Sequence, residues 1–439
     1  MSVRTNHVDS GNWMAQGWTR EQAVISDHDR EILRALGTQL RELAEQPIND
    51  EKVKLWTAHN DLVETRPVLL FDAEFGWTEL IPNLDCEGEM AQDWEMYLRK
   101  EIYSAQIVQD DKPVEAVLYL PYLSTDSGFG IHEERVGDQE EGKAYHWVGP
   151  WENMDEDEFE ELEVSEFIKT PVIDVDYETS QYVFDLAKDV FDGILDVKFR
   201  PRWGWAPWLS LSYSNLRGME NMMIDFYDFP EKVHEIMRLF TDGYLAKYRF
   251  LEEHNLLPNN TGNCYVGSGG LGHTSQLHPV DGSVKLMESW GFNEAQETSE
   301  ISPEMWKEFF LPYQAEIADL FGLNCYGCCE GLHNRFEDLK ATLPRLRRVS
   351  VSQWADSVKM AEMLQSDYVY SYKCSPTDLA VPNIDEDYIR ANLRRVVELT
   401  KRNNNRVEFI MKDNHTLAHT PKNVTEWVRI AREEIARVW

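Results

Sequence analysis

The chain has 439 residues, 42% of them apolar, and a formal net charge of −35. That length exceeds one typical domain but suits a barrel with insertions, and the negative charge argues against nucleic acid or an anionic membrane as a partner. The absence of a long apolar run, of an N-terminal signal core and of a regular cysteine framework predicts a cytoplasmic protein that does not span a membrane. These features of the sequence are also compatible with a homodimer.

Helical periodicity dominates the first 65 residues. Apolar residues recur at helical spacing from Asp27, where a carboxylate can cap the helix, and a second helix is predicted over 51–62. We interpret 1–65 as an N-terminal helical extension. A strand over 66–71, after a proline stop, opens the second unit, which covers 66–439.

Two stretches interrupt the regular pattern in the middle of the chain. Residues 125–180 contain a dense acidic run and are interpreted as a partly solvated insertion. Further on, Arg202, Trp203 and Trp205 lie in an aromatic and basic stretch. Aromatic rings with an arginine could hold a planar or carboxylated substrate, although an aromatic-rich loop packed on the barrel explains the same residues.

The second half of the chain alternates strands and helices with short loops. Strands are predicted around 323–326, 349–352, 367–371 and 407–411, and helices begin near 302, 385 and 420. This alternation is typical of a parallel sheet. At this length it favours a (β/α)8 TIM-type barrel, whose active site lies at the C-terminal ends of the strands.

One stretch at such a strand end concentrates reactive side chains. Cys325, Cys328 and Cys329 are three of the six cysteines of the chain, and Glu330 follows directly. Side chains alternate along a strand, so Cys328 and Glu330 would share one face and make half of a metal site. The alternative is that these cysteines only fill space in the core.

Several segments carry a resemblance to a known family. They are 218–223, 295–298, 301–304, 312–313, 326–330, 348–352, 354–355 and 411–415. In this order they resemble the uroporphyrinogen decarboxylase superfamily and, within it, the corrinoid-linked methyltransferases. The resemblance covers more than half of the chain and is loose over the first 200 residues. It implies a barrel with zinc bound at its mouth and a corrinoid carried by a partner protein.

The chain departs from the family pattern at two places. The decarboxylases have an Arg-Gln-Ala-Gly-Arg segment near the N-terminus, where this chain has 65–72, Thr-Arg-Pro-Val-Leu-Leu-Phe-Asp. The zinc-dependent methyltransferases have a His-x-Cys pair at a strand end, where this chain has Cys328 and Glu330. An alignment shifted by one residue would make Cys329 the ligand.

The resemblance implies the following roles. Cys328, Glu330 and His415 would bind zinc, and zinc would activate the leaving heteroatom or a thiol acceptor. His415 could instead be a general acid or an ordinary hydrogen-bonded histidine. Asp413 would orient His415, Glu297 would be a further ligand or substrate contact, and Tyr326 would contact the substrate.

The predicted reaction is zinc-dependent methyl transfer between a small methylated compound and a corrinoid protein. A methoxylated aromatic, and therefore O-demethylation, is suggested by the tryptophan-rich stretch. Two alternatives remain, namely a metal-independent decarboxylase of the same fold and a non-enzymatic sensor that binds a small ligand in the barrel.

Overall fold

A computed structural model describes residues 17–131, 134–137, 145–201 and 206–439. The strands are β1 (Val68–Phe71), β2 (Val117–Leu120), β3 (Leu123–Asp126), β4 (Glu134–Gly137), β5 (Tyr145–Val148), β6 (Ile173–Asp176), β7 (Asp196–Phe199), β8 (Trp290–Asn293), β9 (Leu323–Tyr326), β10 (Leu346–Val351), β11 (Val369–Lys373) and β12 (Arg406–Met411). The α-helices are α1 (Asp27–Ala44), α2 (Ile48–Asn60), α3 (Trp77–Leu80), α4 (Glu89–Tyr103), α5 (Glu156–Glu161), α6 (Tyr177–Val190), α7 (Leu209–Arg217), α8 (Met219–Asp228), α9 (Pro230–Glu253), α10 (Pro303–Phe309), α11 (Leu311–Ala318), α12 (Phe336–Thr342), α13 (Ser357–Leu364), α14 (Glu386–Arg402) and α15 (Lys422–Ala436).

Parallel strands form the centre of the molecule. Six of them hydrogen-bond in the order β1-β12-β11-β10-β9-β8, and β2 pairs with β7 in a second parallel sheet. The α/β, TIM-type fold class is confirmed, although among the described strands hydrogen bonds do not link the two sheets into a closed ring. Phe71 is in register with Met411, and Lys373 with Ile410, so the strands end at one common edge.

Helix α14 shows how a helix of the second half buries one apolar face in the core. In α14, Asp385 caps the first turn by accepting from the Tyr388 amide, and Ile389, Leu393 and Val396 are buried at helical spacing. Of the helices in the described ranges, none is long and apolar enough to pass through a bilayer.

The two N-terminal helices pack on different parts of the fold. Leu33 and Leu40 of α1 belong to a buried cluster with residues of α4 and α6. Trp56 of α2 packs against Val68 and Ile410, which lie on neighbouring barrel strands. The end of α2 therefore contributes directly to the barrel.

Three elements differ from the sequence expectations. Strands β7 and β8 were not anticipated, and α7 occupies part of the stretch expected to be a loop. The acidic insertion is more ordered than its composition indicates, because β3 pairs with β6 in antiparallel fashion and Asp155 forms a capping box at the start of α5. Phe159 of that short helix is fully buried, which anchors the acidic run to the core.

Candidate functional site at the C-terminal strand ends

The turn after β9 is held by its own glutamate. The carboxylate of Glu330, 1% exposed, accepts from the amide of Cys328 at 2.8 Å and from the amide of Ala295 at 3.0 Å. The hydroxyl of Ser350 donates to the carbonyl of Cys328 at 2.9 Å. Gly327 has φ +92, and a Cβ there would lie 2.7 Å from a methyl group of Leu332. Only glycine fits this position without strain.

This turn brings two thiols together. The sulfur atoms of Cys328 and Cys329 are 3.7 Å apart, with Cys328 buried and Cys329 exposed. The Lys412 ammonium lies 4.0 Å from the Cys328 sulfur. The hydrogen bond with Cys328 and the charge of Lys412 lower the pKa of the Cys329 thiol, while the same hydrogen bond and burial raise the pKa of Cys328. Cys329 is the more accessible of the two.

Two carboxyl groups, those of Glu294 and Glu297, adjoin this turn on the β8 side. Glu294 is fully buried directly after β8, and one of its oxygens has no hydrogen-bond partner among the described residues. Burial, followed by the charges of Glu297 and Glu330, raises the pKa of Glu294 well above its usual range. Burial also raises the pKa of Glu297, whose carboxylate accepts from the Ser210 hydroxyl at 2.7 Å. Its surroundings therefore favour the neutral form of Glu294 over the carboxylate.

Lys412 is the cation on the β12 side of the site. Its ammonium donates to the carboxylate of Asp413 at 2.8 Å. Burial opposes its charge, but Cys328 and Asp413 raise the pKa of Lys412 overall. Below it, burial lowers the pKa of Lys373 to about 8, and the Lys373 ammonium donates to the Ser371 hydroxyl. Two lysines thus lie beside the thiols and the carboxyl groups.

Glu74, in the loop after β1, permits a prediction about stability and pH. Burial and the charges of Asp72 and Asp413 raise its pKa from 4.5 to about 7. Ionising it in the folded protein is therefore costly, and the cost appears as the pH rises from 4.5 through 7. We expect Glu74→Gln to stabilise the protein by about 2 kcal/mol at about pH 8 and to have little effect at about pH 4. Chemical unfolding at both pH values measures this.

Glu79 provides the matched control, because its pKa is shifted in the other direction. Although burial opposes its charge, hydrogen bonds from the Thr416 hydroxyl and the His419 amide lower its pKa. Glu79→Gln should therefore destabilise the protein at neutral pH, and this loss should shrink as the pH falls. An equal effect of Glu74→Gln at both pH values would show that the ionisation of Glu74 does not cause it.

A charged network fills the barrel interior below the site. Arg348 on β10 lies 3.0 Å from Glu408 on β12, two strands away, so both side chains face the inside of the curved sheet. The hydroxyl of Ser371 donates to the same carboxylate, and the ring of His59 lies 3.3 Å from it. Burial alone would raise the pKa of Glu408, but Arg348 and His59 lower it to about 2.

His415 and Tyr326, two of the predicted site residues, have partners of their own in the structure. The ring of the exposed His415 stacks on Phe75, with centroids 4.7 Å apart. Tyr326 is buried between sheet and helices, where its hydroxyl donates to Gln314 at 2.8 Å and accepts from Trp306 at 3.2 Å. A substrate would have to displace these partners to reach the Tyr326 hydroxyl. Arg202, Trp203 and Trp205 lie outside the described residues.

The predicted zinc ligands do not form a ligand set in this arrangement. In the described part of the chain, no three His, Cys, Asp or Glu side chains are grouped to hold a metal ion. Both oxygens of Glu330 accept from backbone amides, and His415 stacks on Phe75. Zinc at Cys328, Glu330 and His415, with Cys329 as the alternative ligand, therefore stays a prediction.

Reasoning from the sequence missed Glu294, Lys373 and Glu408. Glu294 follows a strand that was not recognised, and Lys373 and Glu408 lie within strands that look apolar overall. A signal was nevertheless present for the last two, because a charged residue inside a buried strand must have a partner.

The likeness of the chain to known proteins lies in its fold. No protein-family model matches it, and no curated protein matches it. A solved structure with a related architecture is a methyltransferase from Methanosarcina mazei, with a TM-score of 0.46 and 11% identity over 87% of this chain and 97% of that one. A likeness at this level says nothing about the activity of the present chain.

Proposed function

We propose that the protein is a methyltransferase that moves a methyl group from a small methylated compound to a corrinoid protein. A methyl ether or methylamine is a poor methyl donor, because its leaving group is a strong base. Such a reaction needs a group that neutralises the leaving heteroatom as the carbon–heteroatom bond breaks. The single observation that supports the proposal is the fully buried carboxyl of Glu294 beside the 328–330 turn, where burial raises its pKa.

Glu294 has the properties of a general acid. One of its oxygens has no hydrogen-bond partner among the described residues, and the other accepts from the amide of Gln296 at 2.9 Å, which holds the side chain in place. The neighbouring Glu297 and Glu330 favour the protonated form of Glu294 before reaction. A proton-donating carboxyl kept neutral by burial is an established way to run acid chemistry near pH 7.

The proposed step balances atoms and charge. When bound, the reduced corrinoid of the partner would supply the electron pair for the new bond to the methyl carbon. The bond between that carbon and the substrate heteroatom breaks, and its electron pair stays on the heteroatom. Glu294 transfers its proton to this heteroatom, so an alcohol, phenol or amine leaves and Glu294 becomes a carboxylate that solvent reprotonates. The zinc prediction contributes no step to this scheme.

The proposal is tested by incubating the protein with a chemically reduced free corrinoid and a panel of methyl donors. The panel contains methanol, methylamines and methoxylated benzoates, and methylation of the corrinoid is followed by its absorption spectrum. We expect methylation from at least one donor, with release of the demethylated product in equal amount. Release of carbon dioxide from a carboxylated compound, with no methylated corrinoid, would favour the decarboxylase instead.

The decarboxylase is kept as the second candidate because of the lysine pair. Lys373 and Lys412 could bind a substrate carboxylate, and Lys373, with a pKa of about 8, could protonate the carbanion left when carbon dioxide departs. This reaction needs no corrinoid, so the assay above separates the two candidates.

Zinc content is a separate prediction. Binding through Cys328 and Glu330 predicts that the purified protein carries zinc and that Cys328→Ala and Glu330→Ala each lose it, whereas Cys264→Ala, a cysteine outside this turn, retains it. Elemental analysis of the purified variants measures this. Full zinc occupancy in both site variants would contradict the ligand assignment. Cys328→Ala is the cleaner variant, because Glu330 also holds the turn.

A further inference from the structure

The two adjacent thiols have a geometry that no step of the proposed methyl transfer uses. Their sulfur atoms are 3.7 Å apart, and of the cysteines in the described part only Cys329 is exposed. The backbone around them is fixed at three points, where Glu330 accepts from the Cys328 amide, Ser350 donates to the Cys328 carbonyl and Ser352 donates to the Glu330 carbonyl. The backbone that carries the two sulfurs is thus tied to the C-terminal end of β10.

We propose that Cys328 and Cys329 form a peroxide-sensitive dithiol that closes to a disulfide between neighbouring residues. The exposed Cys329 thiolate attacks hydrogen peroxide, forming a sulfenic acid and releasing hydroxide. The Cys328 thiol then attacks the Cys329 sulfur, so that a sulfur–sulfur bond forms and water leaves. One peroxide is reduced, two thiols are oxidised, and the chain loses two hydrogen atoms.

Distance and access make this pair the favoured one. The sulfurs must approach from 3.7 Å to a bond length of about 2 Å, which rotation of the side chains on a surface turn can supply. Cys325 lies deeper, with its sulfur 3.6 Å from the Arg348 guanidinium inside the barrel. Cys374 and Cys86 are buried on other elements. Cys328 is therefore the thiol placed to resolve an oxidised Cys329.

Such a bond should be easy to reverse. Adjacent Cα atoms are about 3.8 Å apart, which is shorter than the Cα separation in ordinary disulfides, so the ring is strained. Strained and exposed disulfides have higher reduction potentials and are reopened by cellular thiols. Oxidation would convert the exposed thiol beside Lys412 and Glu330 into a disulfide sulfur. This change does not depend on which reaction the site performs.

The test uses the full-length protein, reduced, treated with a chelator to remove any zinc, freed of reductant and chelator, and exposed to hydrogen peroxide in small molar excess. Intact mass spectrometry should show the loss of two hydrogen atoms, and fragment spectra should place the link between positions 328 and 329. Dithiothreitol should restore the original mass. Stable addition of oxygen without a link, a link to Cys325, or no change in mass would each overturn the proposal.

Three variants check the roles of the individual sulfurs. Cys329→Ser should lose no hydrogen atoms under peroxide. Cys328→Ser should instead accumulate a sulfenic acid at Cys329, which dimedone traps and which cannot close. Cys264→Ser, which removes a half-buried cysteine elsewhere, should behave like the wild type. Unfolding curves of the variants confirm that they are folded, and loss of the mass change in Cys264→Ser would also overturn the proposal.

Discussion

Replacing Glu294 by glutamine is expected to slow methyl transfer from a methyl ether by about 10²- to 10⁴-fold, the usual contribution of a general acid. Glutamine keeps the size of the side chain and can still accept from the Gln296 amide, but it has no acidic proton. The unfolding midpoint of the protein should therefore change little. Steady-state kinetics with a methoxylated donor and a saturating corrinoid acceptor measure the effect.

The choice of donor shows whether the lost function is proton transfer. When a nitro-substituted aryl methyl ether is the donor, the leaving group is a weakly basic phenolate, which needs little protonation. Glu294→Gln should slow this donor far less than an unsubstituted ether. A positional or structural defect would slow both donors equally, and equal losses would contradict the role of Glu294 as the acid.

The pH profile gives an independent check. Because burial and nearby carboxylates raise the pKa of Glu294, the wild-type rate should fall when the pH rises through that pKa and the proton is lost. This decrease in rate at high pH should be absent from Glu294→Gln. Glu300→Gln is the matched control, since Glu300 is exposed on the same loop. This variant should retain both the wild-type rate and its decrease at high pH.

Elements with a strong local signal were predictable from the sequence. Strand β9 is a short apolar run, helices α14 and α15 have long amphipathic spacing, and Asp385 caps α14. These patterns depend on neighbouring residues only. Strand β8, Trp-Gly-Phe-Asn, has a glycine in its middle and only four residues. Its strand character comes from pairing with β9, which no local pattern records.

The site was predictable in its place along the chain but not in its interactions. The Cys-Cys-Glu turn lies at the C-terminal strand edge, as the barrel pattern predicts. That Glu330 would bind backbone amides depends on Ala295, thirty-five residues earlier in the chain. The raised pKa of Glu294 likewise depends on its burial and on Glu330, so that spacing in the sequence could not reveal it.

The largest effect on stability is expected from Arg348→Met. Arg348 and Glu408 are both buried, and the guanidinium also donates to the side chain of Asn60 at 2.7 Å and to the carbonyl of Leu271 at 3.1 Å. Methionine fills much of the space but leaves the Glu408 carboxylate without its counterion. We expect a loss of about 3–5 kcal/mol in the free energy of unfolding, measured from the first transition in urea.

Two further variants separate charge from packing. Adding Glu408→Gln to Arg348→Met removes the unpaired charge and should recover part of the loss, because a neutral buried pair avoids the cost of an isolated carboxylate. Arg429→Met, which breaks exposed ion pairs to Glu386 and Glu433 on the surface, should cost about 1 kcal/mol or less. If the double variant is no more stable than Arg348→Met, lost packing and hydrogen bonds rather than an uncompensated Glu408 dominate. The low pKa of Glu408, about 2, predicts instead that the double variant is more stable than Arg348→Met. Above pH 4.5 the Glu408 carboxylate stabilises the fold through its interaction with Arg348, and this contribution is lost when Arg348 is replaced.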